Sequence, residues 1–129
     1  MAVRVVRLGT RRSRGEGPRL GTVRRPPRGV RKSDYARLGF YALWLPELAP
    51  SAKWVSWALA EPWTEARWKR YAHNYRREMG APGAQRLIEL LALLSRRADF
   101  SIGCYCEDAA RCHRSLLRGL LAQKGARLR

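Results

Sequence analysis

All three cysteines of the 129-residue chain, and one of its two histidines, fall within the eleven residues Cys104–Arg114. The same segment carries carboxylates and guanidinium groups, so it concentrates nucleophiles, acid–base groups and anion-binding groups. The apolar residues 100–105 precede it and predict a strand, and the sequence from His113 to Lys124 predicts a helix. Because open α/β sheets place ligands at such strand–loop–helix joints, this segment is the first candidate for a functional site.

Cys112 and Cys106 are the candidate nucleophiles, with His113 as the candidate acid or base. Cys112 lies at the predicted start of the last helix, where the helix dipole and free N–H groups stabilise a thiolate. Arg114 adds positive charge and is placed to bind a phosphate at the helix N-terminus. The phosphatase arrangement is disfavoured for Cys104 and Cys106, because no arginine follows either of them after a gap of five residues.

Three other roles stay open for this segment. Its residue types suit zinc, although the spacing is not that of the usual ligand pairs, and the candidate ligands would be Cys104, Cys106, Cys112 and His113. A dedicated dithiol oxidoreductase is disfavoured, because no two cysteines show the two-residue gap of thioredoxin-like motifs. The third role is structural: Cys104 is expected in the core as a small apolar residue, and Glu107 to pair with an arginine. The sequence requires no cofactor.

The formal net charge of +17 is concentrated near the N-terminus, where residues 1–32 hold eleven Lys and Arg against one acid, Glu16. Such charge attracts polyanions, so a phosphate-bearing ligand or a nucleic acid is a candidate partner. The alternative is basicity without a function. We expect no membrane association, since no apolar stretch is long enough to span a bilayer. Without a secretory signal or a disulfide framework, a cytoplasmic protein is expected.

Strand and helix patterns alternate along the chain. Strands are predicted at residues 3–8, 40–45 and 100–105, with a short extended piece at 20–23. Ser51 and Thr64 are predicted helix N-caps. The second helix has an apolar stripe of Trp68, Tyr71, Ala72, Tyr75 and Met79, the third one of Leu87, Leu90, Leu91, Leu94 and Ala98, and the last one of Leu116, Leu117, Leu120 and Leu121. This pattern predicts one compact α/β domain over residues 1–129, a mostly parallel or mixed small sheet covered by helices in Rossmann-like or flavodoxin-like layering.

The carboxyl ends of parallel strands lie at one edge of a sheet, so residues following different strands are expected to meet there. Thr10 and Arg11 follow the first strand, and Glu47 follows the second. A loop rich in Arg, Gly and Pro, residues 11–32, begins at the same edge. Its two consecutive prolines, Pro26 and Pro27, stiffen the chain, so its basic side chains are expected to bind an anion, chiefly Arg24, Arg25 and Arg28.

Several segments together resemble one known family. They are Cys104-Tyr105-Cys106-Glu107 with Cys112-His113-Arg114, and also residues 22–30, 44–51 and 75–79. The chain resembles the family called domain of unknown function 488, a group of small prokaryotic proteins. The resemblance implies a compact α/β domain in the cytoplasm but no assigned activity. One branch of that family lacks the cysteines, which implies that thiol chemistry is not common to the whole family.

Two functions are compatible with these observations. One is an enzyme that acts on a phosphate-bearing ligand, such as a nucleotide or nucleic acid, through Cys112 or Cys106 with His113 as acid or base. The other is a non-catalytic nucleic-acid-binding module, in which the cysteines pack the joint and the basic loop contacts phosphates.

Overall fold

A computed structural model describes all residues from Met1 to Arg129. It contains the strands β1 (Val3–Arg7), β2 (Arg19–Gly21), β3 (Leu43–Trp44) and β4 (Phe100–Cys104). The helices are α1 (Ala52–Ala60), α2 (Glu65–Glu78), α3 (Pro82–Leu94) and α4 (His113–Gln123). The strands form one sheet in the order β1-β4-β2-β3, and every pairing is parallel. The predicted α/β domain with a parallel sheet is therefore confirmed.

Strand β4 is the central element of the sheet. All five of its residues are buried, as expected for a strand covered on both faces. Val3 to Arg7 pair with its residues on one side, and β2 pairs with it on the other. Because the strands run in one direction, the chain leaves β1, β2 and β4 at a common edge.

The two faces of the sheet are covered differently. Residues of α1 to α4 pack with Val3 and Ile102 into the main core on one face. On the opposite face, Gly21 and Gly103 have no side chains, and the Tyr41 ring and the Leu8 side chain fill the space where Cβ atoms would lie. Loop residues therefore pack directly on the strand backbone at these two positions.

The predicted helices are all present. Thr64 caps α2, because its hydroxyl accepts a hydrogen bond of 3.1 Å from the N–H of Arg67. Ser51 occupies the N-cap position of α1, but its hydroxyl forms no cap; instead its N–H donates to Glu78. The prediction for Ser51 was therefore right in position and wrong in mechanism. None of the helices has both the length and the apolar character that a membrane crossing requires.

Two sequence predictions were wrong in detail. The expected buried strand at residues 40–45 is only the two-residue edge strand β3, whose Leu43 is 54% exposed and Trp44 39% exposed. The buried stripe of α3 consists of Ala84, Ile88, Leu91 and Ala92, whereas Leu90 and Leu94 are exposed and Ala98 lies beyond the helix. The leucine spacing predicted the wrong face of α3, because small alanines form much of the face that packs against the core.

The basic loop is held in place by a buried ion pair between Glu16 and Arg19. The two side chains lie three residues apart, and both are almost completely buried. Arg19 also donates to the carbonyls of Thr10 at 2.8 Å and Gly39 at 2.6 Å. Burial alone raises the pKa of Glu16, but hydrogen bonds from Arg19 and Ser13 lower it more, so the carboxylate stays charged. The only acid of the N-terminal region thus organises the loop instead of facing solvent.

Replacing Glu16 by Gln should therefore destabilise the fold strongly. The substitution leaves the buried Arg19 charge without its partner, and breaking such a pair costs about 3–5 kcal/mol. Urea unfolding followed by circular dichroism measures this loss. Glu89→Gln is the matched control, because Glu89 pairs with Lys124 on the surface and should contribute less than about 1 kcal/mol. Equal losses in the two variants would contradict the role assigned to Glu16.

Candidate thiol site

The three cysteine side chains converge at the carboxyl edge of the sheet. Cys104 ends β4, Cys106 lies in the loop that follows, and Cys112 is the N-cap residue of α4. Their sulfur atoms all lie within 4.8 Å of one another, and the Sγ atoms of Cys104 and Cys106 are 3.7 Å apart. Cys104 and Cys112 are buried and Cys106 is exposed. The site therefore offers one accessible sulfur backed by two buried thiols.

The surroundings favour a negative charge on Cys106. Hydrogen bonds from the thiols of Cys104 and Cys112 lower the pKa of the Cys106 thiol well below its usual range, and the positive charge of Arg114 acts in the same direction. The same contacts, together with burial, raise the pKa of Cys104 and Cys112. A thiolate at Cys106 with neutral thiols behind it is the protonation pattern that this arrangement stabilises.

His113 is buried next to this cluster and bridges it to Thr22, the residue that follows β2. Its Nε2 lies 2.5 Å from the carbonyl oxygen of Thr22, and its Nδ1 lies 3.8 Å from the Cys112 sulfur. A carbonyl oxygen only accepts hydrogen bonds, so Nε2 carries the proton and Nδ1 has a free lone pair. Burial lowers the pKa of His113 to about 4, which keeps the imidazole neutral near pH 7.

Arg114 fixes the backbone beside the exposed thiol. Its Nη2 donates to the carbonyl of Cys106 at 2.9 Å and lies 3.5 Å from that of Glu107. The side chain is only 4% exposed, yet its Nε is buried and has no hydrogen-bond partner. The buried guanidinium therefore supplies positive charge beside Cys106 and holds the backbone of its loop in place.

The segment after β2 lies against the thiol cluster. The Tyr105 hydroxyl donates to the carbonyl of Arg25 at 2.9 Å, and the Trp44 indole donates to that of Val23 at 2.7 Å. The Arg24 side chain points inward and donates to three backbone carbonyls, those of Pro46, Ala49 and Pro50. Arg24 therefore ties two loops together, whereas Arg25 beside it is exposed.

The remaining predicted site residues lie at the same edge but not in the cluster. Arg28 is exposed on the loop beyond the two prolines. Thr10 and Arg11 line a cavity of about 330 Å³ at the end of β1, together with Arg12 and Arg37 among others. Glu107 is exposed and forms an ion pair of 3.5 Å with Arg7, and Glu47 is exposed in a 3₁₀ turn. The structure thus brings together the cysteines, His113 and Arg114.

The same three sulfurs could hold a thiophilic ion. Zinc–sulfur bonds of about 2.3 Å in a tetrahedron place sulfurs about 3.8 Å apart, close to the Cys104–Cys106 separation of 3.7 Å. His113 does not complete a four-ligand set, because the group of converging ligand atoms contains the three cysteines alone. Zinc bound here would have three protein ligands and an open fourth position.

Sequence inspection missed two residues beside the cluster. The carbonyl of Thr22 fixes the orientation of His113, and a backbone group gives no signal in a sequence. Tyr71 was identified only as a core residue of α2; burial raises its pKa, and negative charge on the three thiols acts in the same direction. Its spacing of four residues from Tyr75 indicated a buried face but not what that face contacts.

The buried neutral His113 should make stability fall with acidification. Its pKa is about 4 in the folded protein, against an ordinary value of 6.5, so the unfolded chain binds the proton more readily. The stabilisation is therefore complete above about pH 6.5 and is lost as pH falls toward 4, by on the order of 3 kcal/mol. Urea unfolding at several pH values measures it, with His113→Gln as control. If the two proteins lose stability in parallel, His113 is not responsible.

Comparison with known proteins supports the assignment that the motifs suggested. The family model described as "Active DUF488-N3 subclade" matches residues 3–125, nearly the whole chain and the complete thiol site. Neither the search of curated proteins nor the search of solved structures gives a match. On the extent of the family match, the chain belongs to the DUF488 family, in its DUF488-N3 subclade.

Proposed function

We propose that this protein is an enzyme that uses Cys106 as a thiolate nucleophile toward a phosphate-bearing ligand, a nucleotide or a nucleic acid. The observation that carries the proposal is the convergence of three sulfurs within 4.8 Å with only Cys106 exposed. A free thiol is only a few per cent ionised at neutral pH, and hydrogen-bond donors around it are one means of activation. Cys106, not the buried Cys112, is the nucleophile in this proposal.

The groups around Cys106 support an anionic ligand. The positive charge of Arg114 lies beside Cys106, and Arg25 is exposed on the loop that Tyr105 holds against the site. Arg28 follows on the same loop and is exposed as well. Arginine suits phosphate because its planar group donates two parallel hydrogen bonds. His113 contributes by orienting Cys112 behind the nucleophile. The free thiols suit a reducing, cytoplasmic compartment.

Alkylation should show that Cys106 is ionised at mildly acidic pH. The expected iodoacetamide rate at Cys106 is nearly constant from pH 8 to pH 6, whereas that of a free thiol falls about 100-fold as its thiolate disappears. Peptide mass spectrometry after timed quenching identifies the labelled residue.

Variants assign the fast reaction to one sulfur. Cys106→Ser should abolish it. Cys104→Ser should leave it fast, because the serine hydroxyl can still donate a hydrogen bond to the Cys106 thiolate. A Cys106 alkylation rate that falls tenfold with each unit decrease in pH would contradict the proposed nucleophile. Metal analysis before labelling tests zinc, since a stoichiometric ion that blocks alkylation would also contradict it.

Polyanion binding should involve the arginines at this edge. Random oligonucleotides of DNA and RNA should slow Cys106 alkylation and bind with a steep salt dependence. Replacing Arg25 and Arg28 by Ala should reduce the slope of log affinity against log salt by about one for each arginine that binds a phosphate. The control replaces Arg86 and Arg118, which are exposed on α3 and α4, and should change the slope less.

The same experiment separates the enzyme from a simple binding module. Tight, salt-dependent binding that leaves Cys106 alkylation unchanged would favour the non-catalytic nucleic-acid module and contradict a ligand seated at the thiol. The net charge of +17 supports either form of polyanion binding, so protection of the sulfur is the deciding measurement.

A further inference from the structure

The two buried thiols have no role in nucleophilic attack that requires sulfur, since hydroxyl groups could also donate to a thiolate. Their sulfur atoms nevertheless lie within 4.8 Å of an exposed and reactive sulfur. A disulfide needs sulfurs about 2.05 Å apart, so a modest movement of one side chain or of the exposed loop would bring a pair together. The cluster thus contains both a sulfur that an oxidant can reach and thiols that can react with the oxidised product.

We propose that Cys106 is a peroxide-reactive cysteine and that Cys112 resolves its oxidised form into a Cys106–Cys112 disulfide. This inference rests on the proposed function in taking Cys106 as the reactive thiol, and it adds a reversible modification that blocks that thiol. The co-reactant is a hydroperoxide, either hydrogen peroxide or an organic one.

The first step oxidises one sulfur. The Cys106 thiolate attacks the terminal oxygen of the hydroperoxide; a sulfur–oxygen bond forms and the oxygen–oxygen bond breaks. The leaving alkoxide or hydroxide takes a proton and departs as alcohol or water. Cys106 is left as a sulfenic acid, the reversible first stage of thiol oxidation.

The second step uses the neighbouring thiol and histidine. The Nδ1 lone pair of His113, 3.8 Å from the Cys112 sulfur, accepts the thiol proton. The Cys112 sulfur then attacks the Cys106 sulfur, a sulfur–sulfur bond forms, and the hydroxyl leaves as water with that proton. Overall, two thiols and one hydroperoxide give one disulfide, one alcohol and one water. A small thiol restores the reduced form by exchange.

Geometry favours Cys112 over Cys104 as the resolving residue. Cys104 ends a strand paired on both sides, and its carbonyl accepts a hydrogen bond of 2.8 Å from Leu8. Two residues along an extended chain lie about 6.6 Å apart, near the upper limit for the Cα atoms of a disulfide. Cys112 instead faces Cys106 across the exposed residues 107–110, which can adjust. His113 touches Cys112 and so supplies the base where it is needed.

The test uses the full-length protein, reduced and freed of metal, with stoichiometric hydrogen peroxide. The titratable thiols should fall from three to one, and dithiothreitol should restore all three. Trypsin cleaves after Arg111, so the disulfide should join peptide 98–111 to peptide 112–114. A disulfide confined to peptide 98–111 would instead be Cys104–Cys106 and would overturn the assignment.

Four variants identify the individual steps. Cys104→Ser should still form the cross-link between the two peptides, and Cys106→Ser should form none. In Cys112→Ser, or Cys112→Ala if that variant is unstable, dimedone should trap a sulfenic acid at Cys106. His113→Gln keeps an N–H for Thr22 but has no basic nitrogen to accept the Cys112 proton, so its disulfide step should be slower by about tenfold or more.

Failure of this inference is distinguishable from failure of the proposed function. Fast alkylation of Cys106 at pH 6 without a disulfide after peroxide would overturn the inference alone. A cross-link in Cys106→Ser, formed by Cys104 and Cys112, would overturn it as well. A Cys106 that is slow toward both iodoacetamide and peroxide would overturn both proposals.

Discussion

The thiol site depends on the parallel pairing of β4 with β1 on one side and β2 on the other. Parallel strands end at the same edge, so this pairing brings the segments that follow β2 and β4 to one place. The loop after β4 brings two thiols, the segment after β2 brings the Thr22 carbonyl, and α4 begins there with Cys112. An antiparallel neighbour would have sent one of these segments to the opposite edge, away from the cluster.

Burial then gives the three chemically identical side chains different properties. Hydrogen bonding to Cys106 and burial both raise the pKa of Cys104 and Cys112, so those two thiols stay protonated. Cys106 accepts those bonds and keeps contact with solvent, and Arg114 lies beside it. The negative charge is therefore stabilised on the one sulfur that a ligand or oxidant can reach. The three cysteines thus differ in protonation state and in accessibility because of their positions in the fold.

Local sequence signals predicted the helices and the position of the cysteines in the fold, but not the surroundings of individual side chains. Periodicity identified the helices, and the strand–loop–helix joint correctly located the cysteines at the edge of the sheet. Which thiol is accessible depends on the residues that pack against the strand–loop–helix joint. Some of these residues, such as Thr22, lie 80 or more positions away in the sequence. Ligand spacing along the chain was also a weak guide to zinc, because the fold brings the sulfurs within 4.8 Å whatever their separation in sequence.

The arginines show why composition overstates the binding surface. Arg19, Arg24 and Arg114 are directed inward and donate chiefly to backbone carbonyls. The reason lies in the small sheet, whose long loops leave many carbonyls without a strand or helix partner. One guanidinium carries five donors, more than any other side chain, and can satisfy several such carbonyls at once. Part of the positive charge is thus a consequence of holding irregular backbone in place. The charge left for a ligand is that of the exposed arginines, among them Arg25 and Arg28 on the loop beside Cys106.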